Sequence, residues 1–326
     1  MKMLCNAVAA GRRRFSRFGV LLAAVIAVAG AFRTSAAEDA LRRIPGGTRF
    51  LSVWNLERIG QSPVTAALKK QYPHLNAALR DFDAAFGISN GAPGRRAVVF
   101  EGGPVEGAFI IDPAVGEAAF AQTARRRAGF REVRNGSGSW YSLPIAGERL
   151  YFHYDSPELL IAAKAKNGGI PDFGKAAAAA PMLPDGLPET AMVRFAGSPV
   201  GRLRKTGIFN QAKRIYGWGD LAGGGNLTLD VRADFNSARE AEDALRRFSG
   251  MLMLGSLCFS ENPELGSDFL QAIRCSRGDR QLHCRISVSE ALGRRLYAYL
   301  TAHPEILDLL CPGYAGSRPA AGQGRF

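Results

Sequence analysis

The chain has 326 residues, 47% of them hydrophobic, and carries 42 Lys and Arg against 29 Asp and Glu, a formal charge of +13. That apolar content and length suit one large or two modest globular domains. The basic charge is spread too thinly to argue for a nucleic-acid partner, and its densest part lies in the first 37 residues.

Lys2, Arg12, Arg13, Arg14 and Arg17 form a basic head, Gly19 to Phe32 is an uncharged run of 14 residues, and Ser35-Ala36-Ala37 supplies small residues. This is the layout of a cleaved signal peptide over residues 1–37, since the apolar run is shorter than the roughly 20 residues that span a bilayer. The expected location is periplasmic or extracellular; an uncleaved N-terminal tether is the alternative. Six basic and no acidic residues leave with the leader, so the remaining 289 residues carry +7 and suit an anionic envelope surface.

The first α+β module is expected over residues 38–167. A buried strand is predicted from Thr48 to Leu56, and Ser62-Pro63 then opens a helical region reaching Phe86, serine capping and proline in the first turn. Arg96 to Glu101 and Gly107 to Ile111 form a hairpin. Asp112-Pro113 repeats the helix start, Arg125, Arg126 and Arg127 crowd that helix's last turn, and Gly129 closes it. Four short strands follow: Phe130 to Val133, Ser139 to Leu143, Arg149 to Tyr154 and Glu158 to Ala162.

Residues 168–188 are rich in Pro, Gly and Ala and are read as a linker. The second module, residues 189–304, begins with a strand from Ala191 to Phe195, and Ser198-Pro199-Val200 repeats Ser62-Pro63-Val64 letter for letter. A strand covers Asn226 to Val231, and Ser237 with Glu240 makes a capping box. Arg246-Arg247 before Gly250 match Arg125-Arg126 before Gly129, so the second module is expected to duplicate the first. Asn262-Pro263 ends the helical region. A hairpin carries Ile273 and Cys275 against Leu282, Cys284, Ile286 and Val288, with Arg274, His283, Arg285 and Ser287 outward. Ser289-Glu290 opens a last helix, and residues 305–326 form a tail expected to be largely disordered.

Export leaves four cysteines, Cys258, Cys275, Cys284 and Cys311, which permit three pairings. A turn at Gly278-Asp279 suits type II′ and sets Cys275 opposite Leu282, leaving the sulfurs of Cys275 and Cys284 on a diagonal; a turn at Asp279-Arg280 would oppose them directly. Cys258 or Cys311 is the alternative partner. No Cys-x-x-Cys pair and no His-x-x-x-His spacing occurs, and His74, His153, His283 and His303 are scattered, so no metal site is expected. No phosphate loop or nucleophile elbow is present, and no cofactor is expected. Arg277-Gly278-Asp279 reads as turn chemistry rather than an adhesion signal.

Arg202, Arg204, Lys205, Lys213 and Arg214, with Trp218 and other aromatic residues interleaved, form a candidate site for an anionic envelope component, set against the plainer reading of a solvated helix face. The order of strand, Ser-Pro helix, strands and Arg-rich helix, twice over from Ile44 to Leu300, with the opening strand of Pro45 to Leu56, resembles a loosely defined group of exported bacterial proteins of unknown function. The resemblance implies a duplicated α+β fold outside the cytoplasm and carries no catalytic residues across. The reading is therefore an exported, non-catalytic binding or structural protein of two similar α+β modules, each a mainly antiparallel sheet with helices on one face. The alternatives are an envelope hydrolase using Asp112, Asp155 or Asp230, and a lipid-binding protein.

Overall fold

The computed structural model describes residues 40–62, 94–135, 138–145, 148–173, 183–200, 204, 208–221 and 225–303. The leader, most of the Ser62-Pro63 helical region and the tail lie outside these residues. The strands are β1 Phe50–Asn55, β2 Arg96–Glu101, β3 Val105–Ile111, β4 Arg131–Asn135, β5 Gly138–Ile145, β6 Glu148–Ser156, β7 Leu159–Ala165, β8 Val193–Gly197, β9 Arg214–Leu221, β10 Leu227–Asp234, β11 Ile273–Arg277 and β12 Gln281–Val288. The helices are α1 Leu56–Gly60, α2 Glu117–Arg125, α3 Ala238–Ser256, α4 Pro263–Gln271 and α5 Glu290–Ala302.

The strands form one 12-stranded sheet in the order β11-β12-β10-β9-β8-β1-β2-β3-β7-β6-β5-β4, each neighbouring pair antiparallel. This is the expected mixture of helices with a large antiparallel sheet. The N-terminal and C-terminal halves are continuous, because β1 pairs with β8 and sets Val53 opposite Arg194.

Strand alternation defines two faces. On the helix face of the N-terminal half, Phe120, Ala121 and Ala124 of α2 pack on Ile110, Tyr141, Leu143, Phe152, Tyr154 and Leu160. Two phenols pin α2 in place: Tyr141 Oη donates to Glu117 Oε1 at 2.9 Å and Tyr154 Oη donates to the Val115 carbonyl at 2.7 Å. Burial, then the Glu117 carboxylate, pushes the Tyr141 pKa up to about 12. In the C-terminal half α3 lays Ala241 and Ala244 on Ile215, Ala233, Leu282 and Cys284 of the same face. On the outer face of the N-terminal half, Leu51, Val53, Val98, Phe100, Phe109 and Ile161 are covered by Ala40, Ile44, Ile170, Phe173 and Leu183. The Pro/Gly/Ala-rich stretch thus contributes cover for the sheet as well as a connection.

Several local expectations shift. A helix that the sequence did not suggest, α1, starts at Leu56, where the Asn55 side chain accepts from the Arg58 amide at 3.2 Å; the helix expected from Ser62-Pro63 lies beyond Ser62, outside the described residues. Asp112 caps nothing: its backbone turns left-handed at φ 49, its amide bonds the Glu158 carbonyl, and α2 begins after Gly116 with no side-chain cap. Gly129 takes the left-handed conformation at φ 76 as expected. Helix α3 runs through Gly250 to Ser256, and Asn262-Pro263 opens α4 rather than ending the helical region, Asn262 Oδ1 accepting from the Leu265 amide at 3.1 Å. Proline at a first helical turn and proline after a last one are the same signal read in opposite directions. The Ser237 cap forms as predicted, with its hydroxyl 3.2 Å from the Glu240 amide, while Glu240 reaches back to the Asn236 amide at 3.0 Å.

Glu101, at the end of β2, has its pKa raised by burial first and by Glu106 second, with Lys164 opposing. A carboxyl whose folded pKa exceeds its unfolded one favours folding below the ordinary value of 4.5, and that contribution is lost as pH rises through the raised value. Glu101→Gln is accordingly expected to raise the melting temperature at pH 7 and leave it unchanged at pH 4. A variant less stable than the parent at pH 7 would contradict this.

Candidate functional site

Strand β9 holds Arg214 and Trp218 of the predicted basic cluster. Residues Arg214–Leu221 are extended rather than helical, so Arg214, Tyr216 and Trp218 fall on the outer face while Ile215 faces α3. Gly217 makes this alignment possible: a Cβ there would stand 2.0 Å from the Asp230 carbonyl and 3.0 Å from the Phe195 ring. Lys213 is exposed at the start of the strand and Arg204 is exposed; Arg202 and Lys205 lie outside the described residues. The solvated-helix alternative therefore does not describe Arg214 and Trp218.

The structure adds residues from four other strands. Registers across the sheet place Arg274 of β11, Arg285 of β12, Asp230 of β10, Trp218 of β9 and Arg194 of β8 in one transverse row. At about 4.8 Å between strands, the row is about 19 Å long. A second row, two residues along, holds Ser276, His283, Arg232 and Tyr216. The Arg214 guanidinium lies 5.4 Å from the centre of the Tyr216 ring, and Gln281 Nε2 donates to Tyr216 Oη at 2.9 Å.

The acids on this face are already engaged. Asp220 pairs with Arg58 at 2.8 Å, Asp234 accepts from Gln281 at 2.8 Å, and buried Asp230 meets His283 Nε2 at 3.0 Å and Arg232 at 3.6 Å. Arg194, Arg274 and Arg285, by contrast, make no salt bridge among the described residues. Arg274 and Arg285 stand directly opposite each other, both exposed, an arrangement that destabilises an isolated strand pair. Arg194 is half-buried beneath this surface, and burial is the largest cause lowering its pKa, with Glu189 opposing and Arg96 adding. A guanidinium stays protonated regardless, so this charge is held with reduced hydration.

Alternation carries the information that would have found these residues. In β10 and β12, Thr228, Asp230, Arg232 and Asp234, and Gln281, His283, Arg285 and Ser287, alternate with apolar partners. Arg274, His283 and Arg285 were expected to point outward, and they do; what the linear chain conceals is that β9 and β8 lie beside them.

Cys275 and Cys284 are bonded, with a Cα separation of 4.2 Å, in the register that places them opposite each other. The turn is thus at Asp279-Arg280, the Gly278 amide bonding the Gln281 carbonyl at 2.8 Å, and the Gly278-Asp279 turn is corrected. Both registers keep the same apolar residues on the helix face, so alternation does not choose between them. The chosen one adds the covalent bond and sets Ile273 against Ile286.

The three candidate hydrolase carboxylates do not meet. Asp112 lies 3.9 Å from Arg95, Asp155 is paired with Arg43, and Asp230 is five strands from β3, about 24 Å away. Among the described residues no helix is long and apolar enough to cross a membrane. No family model matches the chain, and no curated protein does. Among solved structures, TP0453 in its crystal form IV is similar at a TM-score of 0.45 and 10% sequence identity, the match covering 79% of this chain and 96% of that one.

Proposed function

We propose that the protein is an exported binding protein of the cell envelope, taking up an anionic envelope component on the outer face of its C-terminal half-sheet. The observation that carries this reading is the transverse row in which Arg194, Arg274 and Arg285 lack salt bridges among the described residues while every acid on the same face has a partner. Guanidinium groups offer planar, two-pronged donors suited to phosphate or carboxylate, and Trp218 between them supplies a flat apolar contact. The bond between Cys275 and Cys284 suits an oxidising compartment and so supports export behind the signal peptide.

We also infer that the two halves descend from one unit. Strand orders β1-β2-β3-β7-β6 and β8-β9-β10-β12-β11 correspond position by position, each with a helix, α2 or α3, following the third strand on the same face. The interval from Arg125 to Arg246 also separates the first residues of those helices, Glu117 and Ala238. Hairpin β4-β5 is the extra piece of the first copy.

Vesicles containing phosphatidylglycerol test the binding site. The protein is expected to sediment with them and not with neutral phosphatidylcholine vesicles, and added salt should weaken retention by screening. Replacing Arg194, Arg274 and Arg285 together with Ser should lower apparent affinity about 100-fold, at about 1 kcal/mol per basic residue near an anionic surface. Equal retention of the folded variant would remove the proposal.

A further inference from the structure

The transverse row on the outer face is charged at its two ends and neutral in its middle. At one end Arg274 and Arg285 stand directly opposite each other on β11 and β12, both exposed. At the other end is Arg194 of β8. Arg96 of β2 shares its face, by alternation with Val98, and is near enough to act on the Arg194 charge, while the nearby Glu189 offsets part of it. Between the ends, the buried Asp230 carboxylate is balanced by Arg232 at 3.6 Å and meets His283 Nε2 at 3.0 Å, and half-buried Trp218 stands beside it in the row. Arg285 and Arg194 are three strand spacings apart, about 14 Å.

That pattern selects among anions. A polymer charged along its whole length would set a charge over Asp230, and a lone phosphate would reach one end only. The row is also bounded. Past Arg194 the outer face at Val53 is covered by Ala40 and Ile44, and past Arg274 the sheet ends at β11. The guanidinium groups suit phosphate at each end, and the indole offers a flat apolar face to whatever joins the two phosphates.

We propose that the row takes the headgroup of an envelope glycolipid in which two joined sugar rings carry a phosphate at each end. Arg274 and Arg285 hold one phosphate, Arg194 holds the other with Arg96 adding to the field, and a sugar face lies on Trp218. Two linked pyranose rings with terminal phosphates are long enough to bridge the interval. This inference rests on the anion-binding role proposed for this face and specifies its ligand.

The test measures retention of the full chain on phosphatidylcholine vesicles carrying a diphosphorylated glucosamine-disaccharide lipid, its monophosphorylated form, or phosphatidylglycerol, at matched surface charge. The diphosphorylated form is expected to bind about 10-fold more tightly than either of the others, as the second phosphate adds charge-assisted hydrogen bonds. Arg194→Gln should abolish that preference, and so should Arg274→Gln combined with Arg285→Gln, a pair of exposed positions whose replacement relieves like-charge repulsion. Trp218→Ala should lower it. Equal retention of the two disaccharide lipids, a preference for phosphatidylglycerol, or a preference that survives in both arginine variants would overturn the proposal and leave the anion-binding role standing. Retention on none of the three vesicles would remove both.

Discussion

Phe120→Ala is expected to lower stability by about 3 to 5 kcal/mol. Phe120 is fully buried and is the one large side chain α2 inserts into the sheet, with ring centres 5.7 Å from Tyr141, 5.3 Å from Phe152 and 5.8 Å from Tyr154. Its removal leaves a void that those rings cannot collapse into, because the Tyr141 and Tyr154 hydroxyls are held by Glu117 and Val115. At roughly 2 to 4 °C per kcal/mol, melting should fall by about 10 °C. Retention on phosphatidylglycerol vesicles at 20 °C should be unchanged, since the site lies across the sheet on the other half. A loss under about 1 kcal/mol in urea titration would mean that α2 is not packed as described.

Gly217→Ala should do the opposite kind of damage. The added methyl meets backbone, the Asp230 carbonyl at 2.0 Å, rather than the tip of a flexible side chain, so β9 and β10 must part or the strand must rotate. Overpacking of a core costs about 1 to 3 kcal/mol, and a backbone collision stands at the upper end. Trp218 and Asp230 are opposite one another at this point, so the transverse row is broken as well. Both melting temperature and vesicle retention should drop, and retention should stay low at temperatures where the variant is folded. An alanine variant with parental stability and binding would show that β9 and β10 are not in this register.

Much of the architecture is local and was legible in order along the chain. Strands β2, β3 and β10 show β-rich or alternating runs, the Ser237 cap and the Gly129 closure are set by neighbours within four residues, and the helix ends carry their own signals. Strand β9 was missed for a physical reason. Gly217 and Gly219 interrupt its pattern: at Gly217 the Asp230 carbonyl leaves no room for a Cβ, and at Gly219 a Cβ would stand only 3.0 Å from the Val193 side chain. The residues that weaken the local β signal are thus demanded by non-local packing.

The candidate site divides along the same line. Arg214 and Trp218 are four apart in sequence and were found together. Arg194 lies 20 residues earlier and Arg274 and Arg285 more than 50 later, and only the registers of β8, β9, β10, β12 and β11 bring them into one row. The disulfide is a similar case, since alternation fixes which face Cys275 and Cys284 share but not which residues stand opposite.

By itself, then, the amino-acid order determined most of the element classes, the Ser237 and Ser289 caps and the two-sidedness of the alternating strands, because those depend on side chains a few residues apart. The tertiary structure alone decided that β1 joins β8 into a continuous sheet. It also decided which outer half is covered by residues 40–44, Ile170, Phe173 and Leu183 and which leaves Arg274 and Arg285 in solvent. Alternation gives every strand two faces, and only the long-range contacts of other segments choose which of them is buried.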